Sequence, residues 1–148
     1  MTASQFAVPE QSPGFLLWRV TLSWQRQMRA ALAPHDLTHV QFVLLASLWW
    51  LQEHDGSPTQ AQLADQAGTD LMMTSQVVRK LEGRGLLTRE PDPSDSRARR
   101  LRIAAAGAAL LAGALADVEA ADQGYFAVLG DNREDFGRAL ATLAAAHR

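Results

Sequence analysis

Cysteine is absent from the 148-residue chain, which excludes disulfides, thiolate metal sites and any thiol redox switch. No window holds the roughly 18 consecutive apolar residues that a membrane span requires. The first residues, MTASQFAVPEQSPGF, lack a basic stretch followed by an apolar run of signal length. A cytoplasmic location without membrane association is therefore expected. Low-complexity tracts and internal repeats are missing as well. With 47% hydrophobic residues, the chain has the size and composition of one domain, residues 1 to 148. Also missing are the short motifs of common enzyme chemistry: no G-x-S-x-G elbow, phosphate loop, dinucleotide fingerprint or H-E-x-x-H occurs. Ser75 has no His and acid placed by sequence to activate it, so no enzyme and no cofactor are expected. His35 and His39 are four apart, but Pro34 precedes the first and Thr38 caps the helix that the second begins. The pair straddles a helix start with no neighbouring carboxylate pair, and no metal site is expected.

A large net charge is missing too, the total being −2, yet residues 76 to 102 carry eight Lys/Arg against four Asp/Glu. The rest of the chain is correspondingly acidic. Such a division suits a basic face turned to a polyanion. A solvated, arginine-rich hairpin is the plainer reading of the same charges.

Helical signals dominate what is present. Residues 2 to 11 read as an arm, and Ser12-Pro13 supplies a cap followed by proline at the first helical position. The first helix carries two apolar stripes, one with Leu17, Val20, Trp24 and Met28, the other with Phe15, Trp18 and Leu22. Pro34 ends it. Thr38 and Gln41 form a capping box for VQFVLLASLWWLQEH, apolar almost all round and so expected at the centre of the core. After the turn DGSP, Thr59 and Gln62 form a second box for QAQLADQAG, closed by Gly68. Thr69 or Asp70 then caps LMMTSQVVRKLEGRG, with Leu71, Thr74, Val77, Val78 and Leu81 facing inward and Met72, Met73, Ser75, Gln76, Arg79 and Lys80 outward. Two helices joined by a glycine turn make a helix-turn-helix, whose second helix can enter a major groove.

The period then changes. LLTRE and RRLRI read as strands of a hairpin with the extended loop PDPSDSRA. Alanine-rich helix follows from residue 104, and Asp131 with Glu134 reads as a capping box for a last helix containing Phe136, Leu140 and Leu143.

The passage TSQVVRKLEGRGLLTREPDPSDSRARRLRIAAAG resembles the MarR (multiple-antibiotic-resistance regulator) family of winged-helix transcription factors. Asp95, Arg97, Leu101, Ile103 and Gly107 fall where the family's D-x-R…L-x-L-T-x-x-G pattern puts them, and LTHVQFVLL resembles the opening of its second helix. Ala104 stands where a threonine is usual. The resemblance implies a mainly α fold with a small β-hairpin wing. Residues 38 to 103 form the winged helix-turn-helix lobe, with the recognition helix at about 70 to 84 and the wing at about 86 to 103. The resemblance likewise makes residues 12 to 34 and 104 to 148 the expected dimerisation helices. A homodimer bound to double-stranded DNA follows, acting as a repressor on an inverted-repeat operator.

Chemistry assigns the residues within that frame. Arg97 at the hairpin tip suits a narrow minor groove, with Asp95 holding its guanidinium or the loop, and Arg99 shares its side of the strand. Arg100 and Arg102 read equally well as surface charges. On the recognition helix, Ser75, Gln76 and Arg79 suit base edges or phosphates, and Met72 suits thymine methyls or the core. Lys80, Arg84 and Arg89 suit phosphates. The expected dimer face comprises Phe15, Leu22, Leu111, Leu115, Val118, Phe136, Leu140 and Leu143. The resemblance also implies a small aromatic or phenolic anion as ligand. Trp18, Arg19, His39, Phe42 and Trp49 are its candidate contacts, each of the aromatic ones reading equally as core. The competing function is a winged-helix module for protein–protein association, without specific DNA binding.

Overall fold

The computed structural model describes residues 3 to 148. Its order is a 3-10 turn at Pro9–Gln11, α1 at Pro13–Leu32, a 3-10 turn at Ala33–His35, α2 at His39–Asp55, α3 at Gln60–Ala67 and α4 at Leu71–Gly83. There follow β1 at Leu87–Asp92, β2 at Asp95–Ile103, α5 at Ala105–Phe126, a 3-10 segment at Ala127–Asn132 and α6 at Arg133–Ala146. The arm expected over residues 2 to 11 thus contains a hydrogen-bonded turn, and residue 2 lies outside the described residues.

Helix starts follow the cap chemistry. The Ser12 side chain accepts the Phe15 N–H, and both capping boxes, Thr38 with Gln41 and Thr59 with Gln62, form reciprocally. Asp70, and not Thr69, caps α4 by accepting the Met73 N–H at 2.7 Å. Gly68 ends α3 with φ +73°, a left-handed conformation glycine adopts without strain. The box expected from Asp131 and Glu134 does not form. Asn132 occupies the cap position with helical backbone, because the chain enters α6 directly from the 3-10 segment. Ala104, lacking a hydroxyl, leaves α5 without a side-chain cap.

The core forms around α2. Its Phe42, Leu44, Leu45, Leu48 and Leu51 are buried against Met28 and Leu32 of α1, Leu63 of α3, Val78 and Leu81 of α4, Leu87 of β1, Leu101 of β2, and Leu111, Ala114 and Val118 of α5. Leu71, expected inward, is instead 58% exposed. It shares the stripe of Thr74, Val78 and Leu81 but stands at the first position of α4, beyond the core's edge. Helices α1 and α5 pack along each other and are cross-linked by polar contacts. Trp24 Nε1 donates to Asp122 Oδ1 at 2.8 Å, and Tyr125 hydrogen-bonds Ser23 and the Val20 carbonyl.

The wing is a two-stranded antiparallel hairpin pairing Leu87 with Ile103 and Pro91 with Arg99. The extended loop expected from PDPSDSRA is replaced by longer strands closed over Pro93 and Ser94. Pro91 is accommodated because the register shifts between it and Asp92, a bulge that tolerates a residue without an N–H. Asp92 organises the tip. Its Oδ1 accepts the Ser94 N–H at 2.8 Å and the Ser94 hydroxyl at 2.7 Å, and its Oδ2 accepts Arg100 Nε at 2.6 Å. The hairpin root is pinned below: Leu101 N–H donates to Pro58 O at 2.8 Å, Ile103 N–H to Gln52 Oε1 at 3.0 Å, and Arg100 Nη1 to Ser57 O at 3.1 Å.

Two expectations follow. A Cβ on Gly107 would overlap the Leu86 carbonyl oxygen and lie 2.9 Å from its carbon. Gly107→Ala should therefore destabilise the fold by about 3 kcal/mol, read by chemical denaturation. The Asp92 carboxyl is held at about 2, against an ordinary 3.8, first by the Ser94 N–H and then by the Ser94 hydroxyl and Arg100. A depressed folded-state value means that the stabilisation is complete above the ordinary value and lost as pH falls from there through about 2. The protection of the Ser94 amide, its exchange rate relative to an unstructured peptide at the same pH, should fall across that window, and at neutral pH it should be lower in Asp92→Ala than in the wild type.

Candidate nucleic-acid interface

The buried side of α4 determines what its other side presents. Thr74 is fully buried, its hydroxyl donating to the Asp70 carbonyl at 2.7 Å and sharing a hydrogen bond with the Thr69 hydroxyl. With Thr74, Val78 and Leu81 inward, Met72, Ser75, Gln76 and Arg79 fall at i, i+3, i+4 and i+7 and share an outward stripe, with Lys80 beside it. Met72 is 73% exposed, which removes the core reading of this residue. Ser75 is half-buried; Gln76, Arg79 and Lys80 are exposed.

The basic residues divide sharply by partner. Arg84 Nη1 donates to the Asp36 carbonyl at 2.7 Å and to Gln41 Oε1 at 3.4 Å, tying the end of α4 to the start of α2. Arg89 pairs with Glu82 at 3.3 Å. Both were expected on phosphates; both guanidiniums are engaged within the chain. Arg100 pairs with buried Asp92 and Arg102 with Glu90 at 3.4 Å, so these two brace the hairpin. Among the described residues, Arg79, Lys80, Arg97 and Arg99 have no side-chain hydrogen bond or ion pair. Asp95 accepts the backbone N–H of Arg97 at 2.9 Å, so of its two expected roles it fills the second, holding the loop. The outcome is a braced hairpin that carries two uncommitted, exposed guanidiniums.

Asp92, Ser94 and Gln52 were not singled out from the sequence. The usable signal for the first two was Asp92 two residues before Ser94 between prolines, an arrangement that favours a side-chain-to-backbone turn. Gln52 carried none, since its partner is Ile103.

The expected ligand contacts are not gathered in one cavity. Phe42 is buried in the core, while Trp18, Arg19 and Trp49 are exposed. Arg19 lines a groove of about 320 Å³ on α1 with Leu16, Val20, Ser23 and Arg26. His39 packs edge-on to Trp24, with ring centroids 5.1 Å apart. Burial holds its imidazole below the ordinary value, Asp122 opposing and Arg29 assisting.

The expected dimer face also needs correction. Leu111 and Val118 are buried within the chain, and Leu115 is half-buried against the same core. Phe136 is half-buried beside Phe126, at 5.7 Å between centroids. Phe15, Leu22, Leu140 and Leu143 remain exposed, joined by Leu16, Leu17, Trp18, Val20 and Val128. His35, considered for metal, instead contacts Asp117 at 2.6 Å.

Residues 37–98 match the model of the MarR family. YdcH of Bacillus subtilis, described as an uncharacterized HTH-type transcriptional regulator, is 47% identical over 124 residues, 84% of each chain. An HTH-type transcriptional repressor of Mycobacterium tuberculosis is 33% identical over 133 residues, covering 89% of this chain and 93% of its own. Among solved structures, the transcriptional repressor CouR bound to a 23-mer DNA duplex is similar with a TM-score of 0.84 at 29% identity, covering 97% of this chain and 99% of CouR. CouR from Rhodococcus jostii bound to p-coumaroyl-CoA has a TM-score of 0.82 at 28% identity, covering 97% and 98%. These relatives are transcriptional regulators and not enzymes, and the chain belongs to the MarR family of winged-helix transcriptional regulators.

Proposed function

We propose that this regulator is a homodimeric repressor that binds an inverted-repeat DNA operator and is released by a small aromatic or anionic ligand. The observation that carries the DNA reading is the partition of cations. Arg84, Arg89, Arg100 and Arg102 are neutralised within the chain, whereas Arg79, Lys80, Arg97 and Arg99 stand free on the recognition helix and the wing. Free cations on two projecting elements suit phosphates and a minor groove. Met72, Ser75, Gln76 and Arg79 form the base-reading stripe, and Asp95 fixes the wing tip. Arg84 and Arg89 act on the protein side of the interface.

Self-association has independent support. Helix α6 has no fully buried residue, and Leu143 is 54% and Val128 89% exposed. Phe15, Leu17, Trp18 and Leu22 of α1 are exposed as well, and exposed large apolar side chains on several helices mark an interaction surface. A second copy would cover it and set two recognition helices on successive half-sites. Repression is supported by the M. tuberculosis relative and by CouR, both transcriptional repressors. The ligand reading is supported by the CouR complex with p-coumaroyl-CoA; Trp18, Arg19, His39 and Trp49 remain reachable for such a molecule.

The test is selection of bound sequences from a random duplex pool, repeated with aromatic acids and their coenzyme A thioesters. An inverted repeat lost with one compound is the expected result, and no enrichment would favour the protein-association module. Arg97→Ala should weaken operator binding roughly tenfold and reduce the salt slope by about one, without changing the melting temperature. Arg100→Ala, by contrast, should loosen the wing itself. Leu143→Arg should weaken the dimer roughly ten- to hundredfold by sedimentation while the monomer stays folded.

A further inference from the structure

The recognition helix begins with three apolar side chains that the protein leaves exposed, Met73 at 42% and its two predecessors more so. Leu71 is 58% exposed and Met72 73% exposed, at the first two positions of α4. An unpartnered leucine and methionine at a helix start usually meet a neighbouring element, but here the preceding turn is occupied by the Thr69–Thr74 hydroxyl contact and the Asp70 cap. The Asp70 cap sets the backbone from which both side chains project. Met72 lies on the same stripe as Ser75, Gln76 and Arg79, which makes it continuous with the polar groups that face the duplex. In a helix-turn-helix the N-terminal residues of the second helix reach deepest toward base edges. Only one base edge in the major groove is apolar, the 5-methyl group of thymine.

We propose that Leu71 and Met72 form an apolar reading head for thymine 5-methyl groups, so that each operator half-site carries thymine at the positions beneath the start of α4. This rests on the reading of the chain as a DNA-binding regulator and adds which base the helix start selects. Polar readers on this stripe, Gln76 and Arg79, favour adenine and guanine when bidentate; the apolar start supplies the thymine discrimination they lack. Leu71 contributes although it lies on the inward stripe, because the core ends before it.

The test replaces each thymine of the selected operator, one at a time, by deoxyuridine, which removes the methyl and leaves every hydrogen-bonding group. Binding is measured by fluorescence anisotropy with the wild type, with Met72→Ala and with Leu71→Ala. The expected result is one or two positions per half-site where deoxyuridine weakens wild-type binding about fourfold, the value of one buried methyl-sized group. At those positions the alanine variants should bind thymine and deoxyuridine duplexes equally. Both side chains are exposed, so unchanged circular dichroism melting is expected alongside. Equal wild-type binding of the two duplexes at all positions would overturn the apolar reading while leaving DNA recognition intact. A methyl effect that persists undiminished in both variants would overturn it also. Absence of binding to every duplex would overturn the regulator reading, and this one with it.

Discussion

Burial of α2 is the constraint from which the remainder follows. A helix bearing Phe42, Leu44, Leu45, Leu48 and Leu51 buries a broad arc of its circumference, leaving Trp49 and Trp50 to water, and so α1, α3, α4, the hairpin and α5 all pack against it. The recognition helix owes its orientation to this: Val78 and Leu81 must reach α2's surroundings, and with Thr74 they turn Met72, Ser75, Gln76 and Arg79 outward. The hairpin is held by the same centre, since Leu87 and Leu101 anchor its root in the core and Gln52 of α2 accepts the Ile103 N–H. Function sits where that packing ends.

Electrostatics refines what packing places. A cluster of four arginines within six positions of the hairpin reads in the sequence as a single basic patch. In the fold it is two populations. Asp92 and Glu90 take Arg100 and Arg102, which become struts, and Arg97 and Arg99 are left as the outward charge. A guanidinium on a braced hairpin gives up less conformational freedom on meeting any anion than one on a loose loop.

Local signals made much of this legible in advance. Threonine followed three residues later by glutamine located the starts of α2 and α3, a cap at Thr69 or Asp70 bracketed that of α4, and the change from helical to alternating period located the wing. Three features escaped for a common reason, that each depends on contacts distant in sequence. Leu111, Leu115 and Val118 keep one side of the alanine-rich α5, but nothing in that spacing shows that the side meets the chain's own core and not a second copy. Leu71 follows the inward period of α4, and only the extent of the core shows that it stands beyond cover. The sorting of Arg84 and Arg89 depends on Asp36, Gln41 and Glu82, two of which lie on other parts of the chain. The last helix taught a different lesson: residues suited to a capping box do not form one where the preceding backbone is already helical.

At the junction between wing and α5, the Leu86 carbonyl accepts the Ala104 N–H at 3.0 Å, and Gly107 lets the next turn of helix close directly over that same carbonyl. There is no loop at this point to take up slack. Helix α5 is 22 residues long, clamped to α1 at its far end, and the hairpin is the short arm on the other side of the junction. Wing and helix therefore share one joint at Leu86, and the direction in which the arginine tip points is set by the angle at which α5 leaves it.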